Sequence, residues 1–187
     1  MVTVSVIIPA LNEERHIGRL LSDIERQSRR PEEVLVVDAG SSDGTVAIVE
    51  DFPAAVLLHG EPPVARGRTL GGMNTTGDVL IFLDADVRLP PDFLELFVAE
   101  FGRRRLDVAC PLYKPHDSTP TIRAIHAFWN AVLKGAERLR PSGAGHCIAV
   151  RGDLFRESSG FDHRFKFDDI ELIRRLSRGR AFGIVGE

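Results

Sequence analysis

The chain is poor in cysteine, with only Cys110 and Cys147 in 187 residues. Two thiols so far apart exclude a disulfide framework and a cysteine-based zinc site. Both lie in apolar, strand-like runs, so they read as buried free thiols of a reducing compartment. Positive charge is not in excess either. A net charge of −3 and a pI near 6.1 argue against a nucleic-acid binder that relies on a basic surface, leaving only local basic patches open. No apolar run approaches the length of a membrane span. The short one after Met1 has no basic leader and meets Pro9 at once, so no signal peptide is expected. Repeats and linkers are absent too. The expectation is a single soluble, cytoplasmic domain over residues 1–187, whether alone or within a longer architecture, with docking on the inner face of a membrane left open. A hydrophobic content of 43% is ample for a sizeable core.

What the chain does have is an alternation of short apolar runs with helical patterns, the signature of a mostly parallel sheet flanked by helices. Val2 to Ile8 reads as a strand, closed by a turn at Pro9, Ala10, Leu11 and Asn12. A helix over Glu13 to Gln27 follows, with Ile17, Leu20, Leu21 and Ile24 on one face and acids in its first turn. Val34 to Val37 is a second strand ending at Asp38, and the turn AGSSDGT caps a helix running to about Asp51. A strand near Ala55 to Leu58, a helix from about Arg66 to Thr75, a helix over Asp92 to Phe101 opened by Pro90 and Pro91, and a strand over Asp107 to Pro111 complete the first half.

The segment Asp78 to Pro90, DVLIFLDADVRLP, is the most informative. Val79 to Leu83 reads as a strand buried on both faces, and it runs directly into Asp84 and Asp86. In open α/β sheets ligands bind at that strand end. Side chains two apart on a strand point the same way, and two carboxylates leave open positions on Mg²⁺ or Mn²⁺ for diphosphate oxygens. A loop with solvated acids is the alternative.

Beyond Pro111 the pattern changes. Thr121 to Leu139 reads as a long helix with an apolar stripe of Ile122, Ile125, Phe128, Trp129, Val132 and Leu133, and with Arg123, Lys134, Arg138 and Arg140 near it. Core packing is the default for such a stripe, a membrane-facing or acceptor-facing surface the alternative. The glycine-rich turn SGAGH, 142–146, leads into a strand over Cys147 to Val150. Helical turns over Gly152 to Glu157 and Asp168 to Arg178 and a strand over Ala181 to Val185 end the pattern.

Four segments in this order, VSVIIPALNEE, VVDAGSSDGT, DVLIFLDADV and GFDHRFKFDDIEL, resemble the family 2 glycosyltransferases, inverting enzymes with the GT-A fold, and the resemblance runs nearly end to end. It implies a three-layer, Rossmann-like sheet, with a nucleotide-binding half over about 1–110 and an acceptor-side half over about 111–187. It further implies transfer of a sugar from a nucleoside-diphosphate donor to an acceptor hydroxyl. The donor would lie against Pro9, Ala10, Asn12 and Glu13. Asp38 would accept from base or ribose, with Gly40 and Ser41 letting the backbone come close; the alternative for this segment is a helix cap. Arg68 matches an arginine that can pair with phosphate or base, although an arginine on a helix is commonly solvated. Asp84 and its neighbour Ala85 would meet the ribose or metal shell, and Asp86 the metal, whose charge offsets that of the leaving diphosphate. Asp169 would be the base that takes the acceptor proton and Asp168 an orienting neighbour, against the alternative of two acids at a helix N-terminus.

The chain departs from the family pattern in places. Ala39 stands where many relatives carry a second acid, Thr69 where asparagine is common, Asp168 where glutamate is common, and Ser158 and Ser159 near a frequent double glycine. No basic-aromatic box of processive synthases follows Glu171, which favours single-sugar transfer. His146 and His163 read as structural or solvated rather than as extra metal ligands. A nucleotide-sugar-binding module without turnover would keep the first three motifs and need no base. A nucleotidylyltransferase would need a glycine-rich basic loop where PALNEE stands. The base, the sugar, the acceptor and the oligomeric state are not encoded in motif spacing.

Overall fold

A computed structural model describes residues 2–112, 119–137, 141–143 and 145–186. Arg138 and Leu139 of the expected helix, Arg140 just after it and Ala144 of the SGAGH turn lie outside the described residues. Among the described residues seven strands form one sheet: β1 (Val4–Ala10), β2 (Glu33–Asp38), β3 (Ala55–His59), β4 (Val79–Leu83), β5 (Val108–Pro111), β6 (Cys147–Arg151) and β7 (Phe182–Val185). Their spatial order is β3-β2-β1-β4-β6-β5-β7. β1 to β4 pair in parallel, β6 runs antiparallel to both β4 and β5, and β7 is parallel to β5. The order reverses beside β1, between β2 and β4, and at such a switch point the two flanking loops diverge and leave a crevice.

Alternation along the strands divides the core in two. Val4, Val6 and Ile8 of β1 and Val79, Ile81 and Leu83 of β4 face one side. There they meet Ile17, Leu20, Leu21 and Ile24 of α1 (Ile17–Glu25), Val49 of α2 (Thr45–Glu50), and Leu94, Phe97, Val98 and Phe101 of α4 (Phe93–Arg103). Ile7, Leu80 and Phe82 face the other side. They pack on Ala65 of α3 (Val64–Met73), Leu154 and Phe155 of α6 (Gly152–Arg156), and Leu172, Ile173 and Leu176 of α7 (Asp168–Leu176). Phe82, Phe155 and Phe161 form an aromatic cluster, with the Phe82 and Phe161 rings edge to face at 5.0 Å. Each such buried side chain contributes about 1.5–3 kcal/mol, and the two layers explain why β4 is apolar at every position and β1 at every position but Ser5.

Three expectations need correction. The first strand runs on through Pro9 and Ala10 instead of turning at Pro9. Pro9 is tolerated because β4 pairs with β1 only as far as Ile7, so its missing N–H leaves no gap in that ladder. The first helix begins at Ile17 with no acid in its first turn, because Glu13 and Glu14 are held in the preceding turn by the neighbouring loop. The third correction concerns α5 (Pro120–Ala136), capped by the Thr119 hydroxyl, which accepts from the Ile122 N–H. Its stripe does not pack in the core. Ile122, Ile125, Phe128, Trp129 and Val132 are exposed, Phe128 by 64%, and Leu133 alone of the stripe packs on the core. The helix meets the sheet at its edge, near β7, which can cover only one narrow face of it. Among the described residues no helix is long and apolar enough to cross a membrane.

Candidate active site

The ends of β1 and β2 carry two loops stapled to each other. Asn12 takes a left-handed backbone, φ 57°, which asparagine tolerates better than most residues. Its N–H donates to Ser41 Oγ at 2.8 Å, and its Oδ1 accepts from the Ser42 N–H at 2.9 Å. The Glu13 N–H donates to Thr45 Oγ1 at 2.7 Å, and Glu14 accepts from the Gly44 N–H. Asp38, only 2% exposed, accepts from the backbone N–H groups of Gly40 and Ser41 and from the Ser41 hydroxyl. Its carboxylate therefore shapes its own turn rather than capping a helix, while Asp43 accepts from the Thr45 N–H and hydroxyl at the start of α2.

Beside these loops lies an open cleft of about 370 Å³. Of the residues singled out in the sequence, Pro9, Ala10, Glu13, Arg68, Asp84, Ala85 and Asp86 line it. Asn12, Asp38, Gly40 and Ser41 do not; they hold the loop behind it, and Ala39 lines the wall in their place. Leu11, Val37, Pro62, Pro63, Val64 and Gly67 complete the lining. The proline pair and Val64 went unremarked in the sequence, although a Pro-Pro step just before a helical pattern is a readable signal for a fixed loop.

Asp84 and Asp86 diverge in environment. The Asp84 N–H donates to the His146 carbonyl at 3.0 Å, and Asp84 Oδ1 accepts from Arg68 at 2.5 Å. Asp86 is exposed and makes no hydrogen bond among the described residues. Burial holds the His146 imidazole below its usual pKa, against the opposing pull of Asp84 and Asp86. No group of three or more His, Cys, Asp or Glu that could hold a metal occurs among the described residues. Two carboxylates at a cleft, one with its oxygens uncommitted, suit a hard cation that keeps most of its positions for water and phosphate oxygens. The donor set thus fits Mg²⁺ or Mn²⁺, and does not fit an all-protein cage.

Arg68 differs most from expectation. Instead of being solvated it is 5% exposed and bridges Asp84 to Asp168, the second contact at 3.3 Å. Its guanidinium lies 5.3 Å from the centre of the Phe161 ring, and its Nε is buried with no hydrogen-bond partner among the described residues. A charge so buried is tolerable only when paired, and here the partners come from two separate motifs, 16 and 100 residues away along the chain. Phe161 is held in turn by its N–H donating to Thr69 Oγ1 at 2.9 Å. Gly160 before it sits at φ +69° with Thr69 against it, so a Cβ there would be both strained and crowded.

Asp168 and Asp169 open α7, where the N-terminal helix dipole favours negative charge. Asp168 is buried and committed to Arg68. Asp169 is half-buried and lies so close to Gly145 that a Cβ on that glycine would fall 2.1 Å from Asp169 Oδ2. Gly145 therefore makes room for the carboxylate, a role the SGAGH run hinted at only as a flexible turn. The structure brings Asp84, Arg68 and Asp168 into direct contact and sets Asp169 beside them.

The parallel switch-point sheet, its antiparallel β6 and the carboxylate pair at the end of β4 define the GT-A class of fold. The mannosyltransferase PcManGT from Pyrobaculum calidifontis, solved with GDP-Man and Mn²⁺, overlays with a TM-score of 0.84 at 25% identity, over 100% of this chain and 55% of that one. The chain belongs to glycosyl transferase family 2, whose profile matches residues 5–159. Among relatives, glycosyltransferase AglE of Haloferax volcanii is 34% identical over 186 residues, covering 93% of this chain and 61% of that protein. The 4,4'-diaponeurosporenoate glycosyltransferase of Staphylococcus haemolyticus is 35% identical over 111 residues, 55% of this chain and 29% of that protein. The chain thus spans between 29% and 61% of the length of these two relatives.

Proposed function

We propose that the chain transfers one sugar at a time from a nucleoside-diphosphate donor to an acceptor hydroxyl, with inversion at the anomeric carbon. The observation that carries this reading is the juxtaposition of an uncommitted carboxylate, Asp86, at the mouth of the cleft with the Asp84–Arg68–Asp168 bridge that leads to Asp169. The nucleotide lies in the cleft between Pro9, Ala10 and Gly67, behind which the Asp38 turn fixes the wall. Asp86, with Asp84, would hold a divalent cation, which when bound offsets charge on the departing diphosphate. PcManGT, which holds GDP-Man and Mn²⁺, supports that choice of ligands.

Asp169 accepts the proton of the acceptor hydroxyl while that oxygen forms a bond to the anomeric carbon. The bond from that carbon to the diphosphate oxygen breaks on the opposite face, and the electron pair leaves with the nucleoside diphosphate. Arg68 is a positioning residue in this scheme rather than a phosphate ligand. It fixes the distance between the donor motif and the helix that carries the base, and reacting groups held at fixed separation gain much of their rate from that alone. The buried free thiols Cys110 and Cys147 suit a reducing compartment such as the cytoplasm.

Calorimetric titration with UDP-, GDP- and dTDP-sugars, each with Mn²⁺ and with chelator, tests the reading. One donor is expected to bind in the presence of metal, and Asp86→Ala to lose that binding. No heat from any donor with the wild-type chain would overturn the proposal and leave only the fold.

A further inference from the structure

The outward side of α5 carries an unusual set of residues. Every exposed position from Thr121 to Gly135 other than Arg123 and Lys134 is uncharged, and all of these but Thr121 are apolar or glycine. Ile122, Ile125, Phe128, Trp129 and Val132 form its large apolar surface. At about 100° per residue these five span roughly 120° of the helix circumference, and the alanines and Gly135 continue the uncharged arc. Arg123 and Lys134 fall at the edge of that arc, between it and the side that packs on the protein. Phe128 and Trp129 rest edge to face, their ring centres 6.0 Å apart.

The charged side chains within the helix are all of one sign. Residues 120–136 contain no acid. Glu137, the first acid to follow, is turned inward, accepting from Arg104 at 2.7 Å and from the Ile184 N–H at 2.8 Å. The sequence then continues with Arg138 and Arg140. On a chain whose net charge is −3, Arg123 and Lys134 set cations beside an apolar face, and the sequence that follows is basic.

We infer that α5 is a peripheral docking helix for an anionic lipid bilayer. Its apolar arc enters the boundary between headgroups and acyl chains, and Arg123 and Lys134 reach headgroup phosphates from the rim. A second copy of the chain fits the face less well. Pairing it with itself would bring the cations of both copies together with no carboxylate on either helix to meet them. A bilayer asks for no directional hydrogen bonds, and outside Thr121 the arc offers none. The inference is independent of the donor chemistry, since none of these residues lines the cleft.

Flotation with phosphatidylcholine vesicles, with and without phosphatidylglycerol, tests it. The wild-type chain is expected to float with the anionic vesicles and to remain behind with the neutral ones. Phe128→Ser and Trp129→Ser should each weaken anionic-vesicle binding about tenfold, and Arg123→Gln and Lys134→Gln about fivefold each. All four variants should keep the donor binding of the wild type, which shows that they fold. Failure of the wild type to float with anionic vesicles, or equal flotation with neutral ones, would overturn the inference. A wild-type dimer in light scattering that the Phe128→Ser/Trp129→Ser double variant converts to a monomer would assign the face to a second copy and equally overturn it.

Discussion

The two sides of the cleft are built by different means. On the β1–β2 side every loop is held by residues close at hand: Asn12 and Glu13 by Ser41, Ser42 and Thr45, and Asp38 by its own turn. On the α7 side the local support for the two acids is the helix dipole, and the side-chain ties come from elsewhere in the chain. Asp168 depends on Arg68, 100 residues earlier, Phe161 on Thr69, 92 residues earlier, and Asp169 on the space left by Gly145. A nucleotide wall can therefore form within one β-α-β unit, whereas the base is in place only once the whole sheet has closed. The base side should be the more easily broken, both chemically and structurally.

The largest effect is expected at Asp169. Under the proposed mechanism Asp169→Asn removes the proton acceptor and keeps the shape, so transfer should fall by about 10²–10⁴-fold, while donor affinity measured by calorimetry stays unchanged. That split between turnover and binding sharpens the contrast, because the donor wall does not depend on the base. Equal turnover in wild type and variant would remove Asp169 from the reaction and return the pair to the role of helix-terminal acids.

This difference in construction also decided what could be read from the sequence. The strands, the sheet class and the cleft-lining residues Pro9, Ala10, Glu13, Asp84 and Asp86 were legible, because apolar periodicity and strand-end carboxylates are local patterns. The commitment of Asp38 to its own turn was neither of the two options read for it, a ligand for base or ribose and a helix cap, although a short acid before Gly and Ser suits a turn as well. The Arg68 bridge had no local signal at all; its partners meet it only through tertiary closure. The exposure of the α5 stripe was read only as the alternative to core packing, for a related reason. Periodicity reveals that a helix has an apolar face but not whether the fold has anything to lay against it.

Arg68 offers the next largest effect and tests whether the base side is held as described. Arg68→Met keeps the aliphatic stem and deletes the guanidinium, leaving the buried Asp168 without its cation. Removing one partner of a buried pair costs about 3–5 kcal/mol. Because the Asp84 side chain is 35% exposed, and so partly screened, the lower end, about 3 kcal/mol, is the expectation. Chemical denaturation would read it as a lower midpoint with an unchanged slope. Arg68→Lys should recover only part of the loss, since an ammonium cannot span two carboxylates as a planar fork does. A midpoint for Arg68→Met equal to that of the wild type would make the bridge incidental and put the two sides of the cleft on the same footing.

The smallest effect belongs to the opposite edge of the sheet on the β1–β2 side, where Glu33 opens β2. Its carboxylate accepts from the Thr76 N–H and hydroxyl, both at 2.9 Å, and from the Ser5 hydroxyl, joining β2 to β1 and to the turn before β4. Burial alone would raise its pKa, but the Ser5 and Thr76 donors outweigh it and hold the group below the ordinary carboxylate value. A folded-state pKa below the unfolded one contributes stability above the unfolded value, and loses it as pH falls through the folded one. Glu33→Gln should therefore lower the thermal midpoint at neutral pH by at most about 2–4 °C, and the gap to wild type should close as the solution is acidified below the carboxylate range. Because the tie lies at the far edge of the sheet from the cleft, donor affinity should not move. A gap that stayed constant down to strongly acidic pH would show that Glu33 acts through packing rather than charge, and a change in donor affinity would mean that the β1–β2 wall depends on distant ties after all.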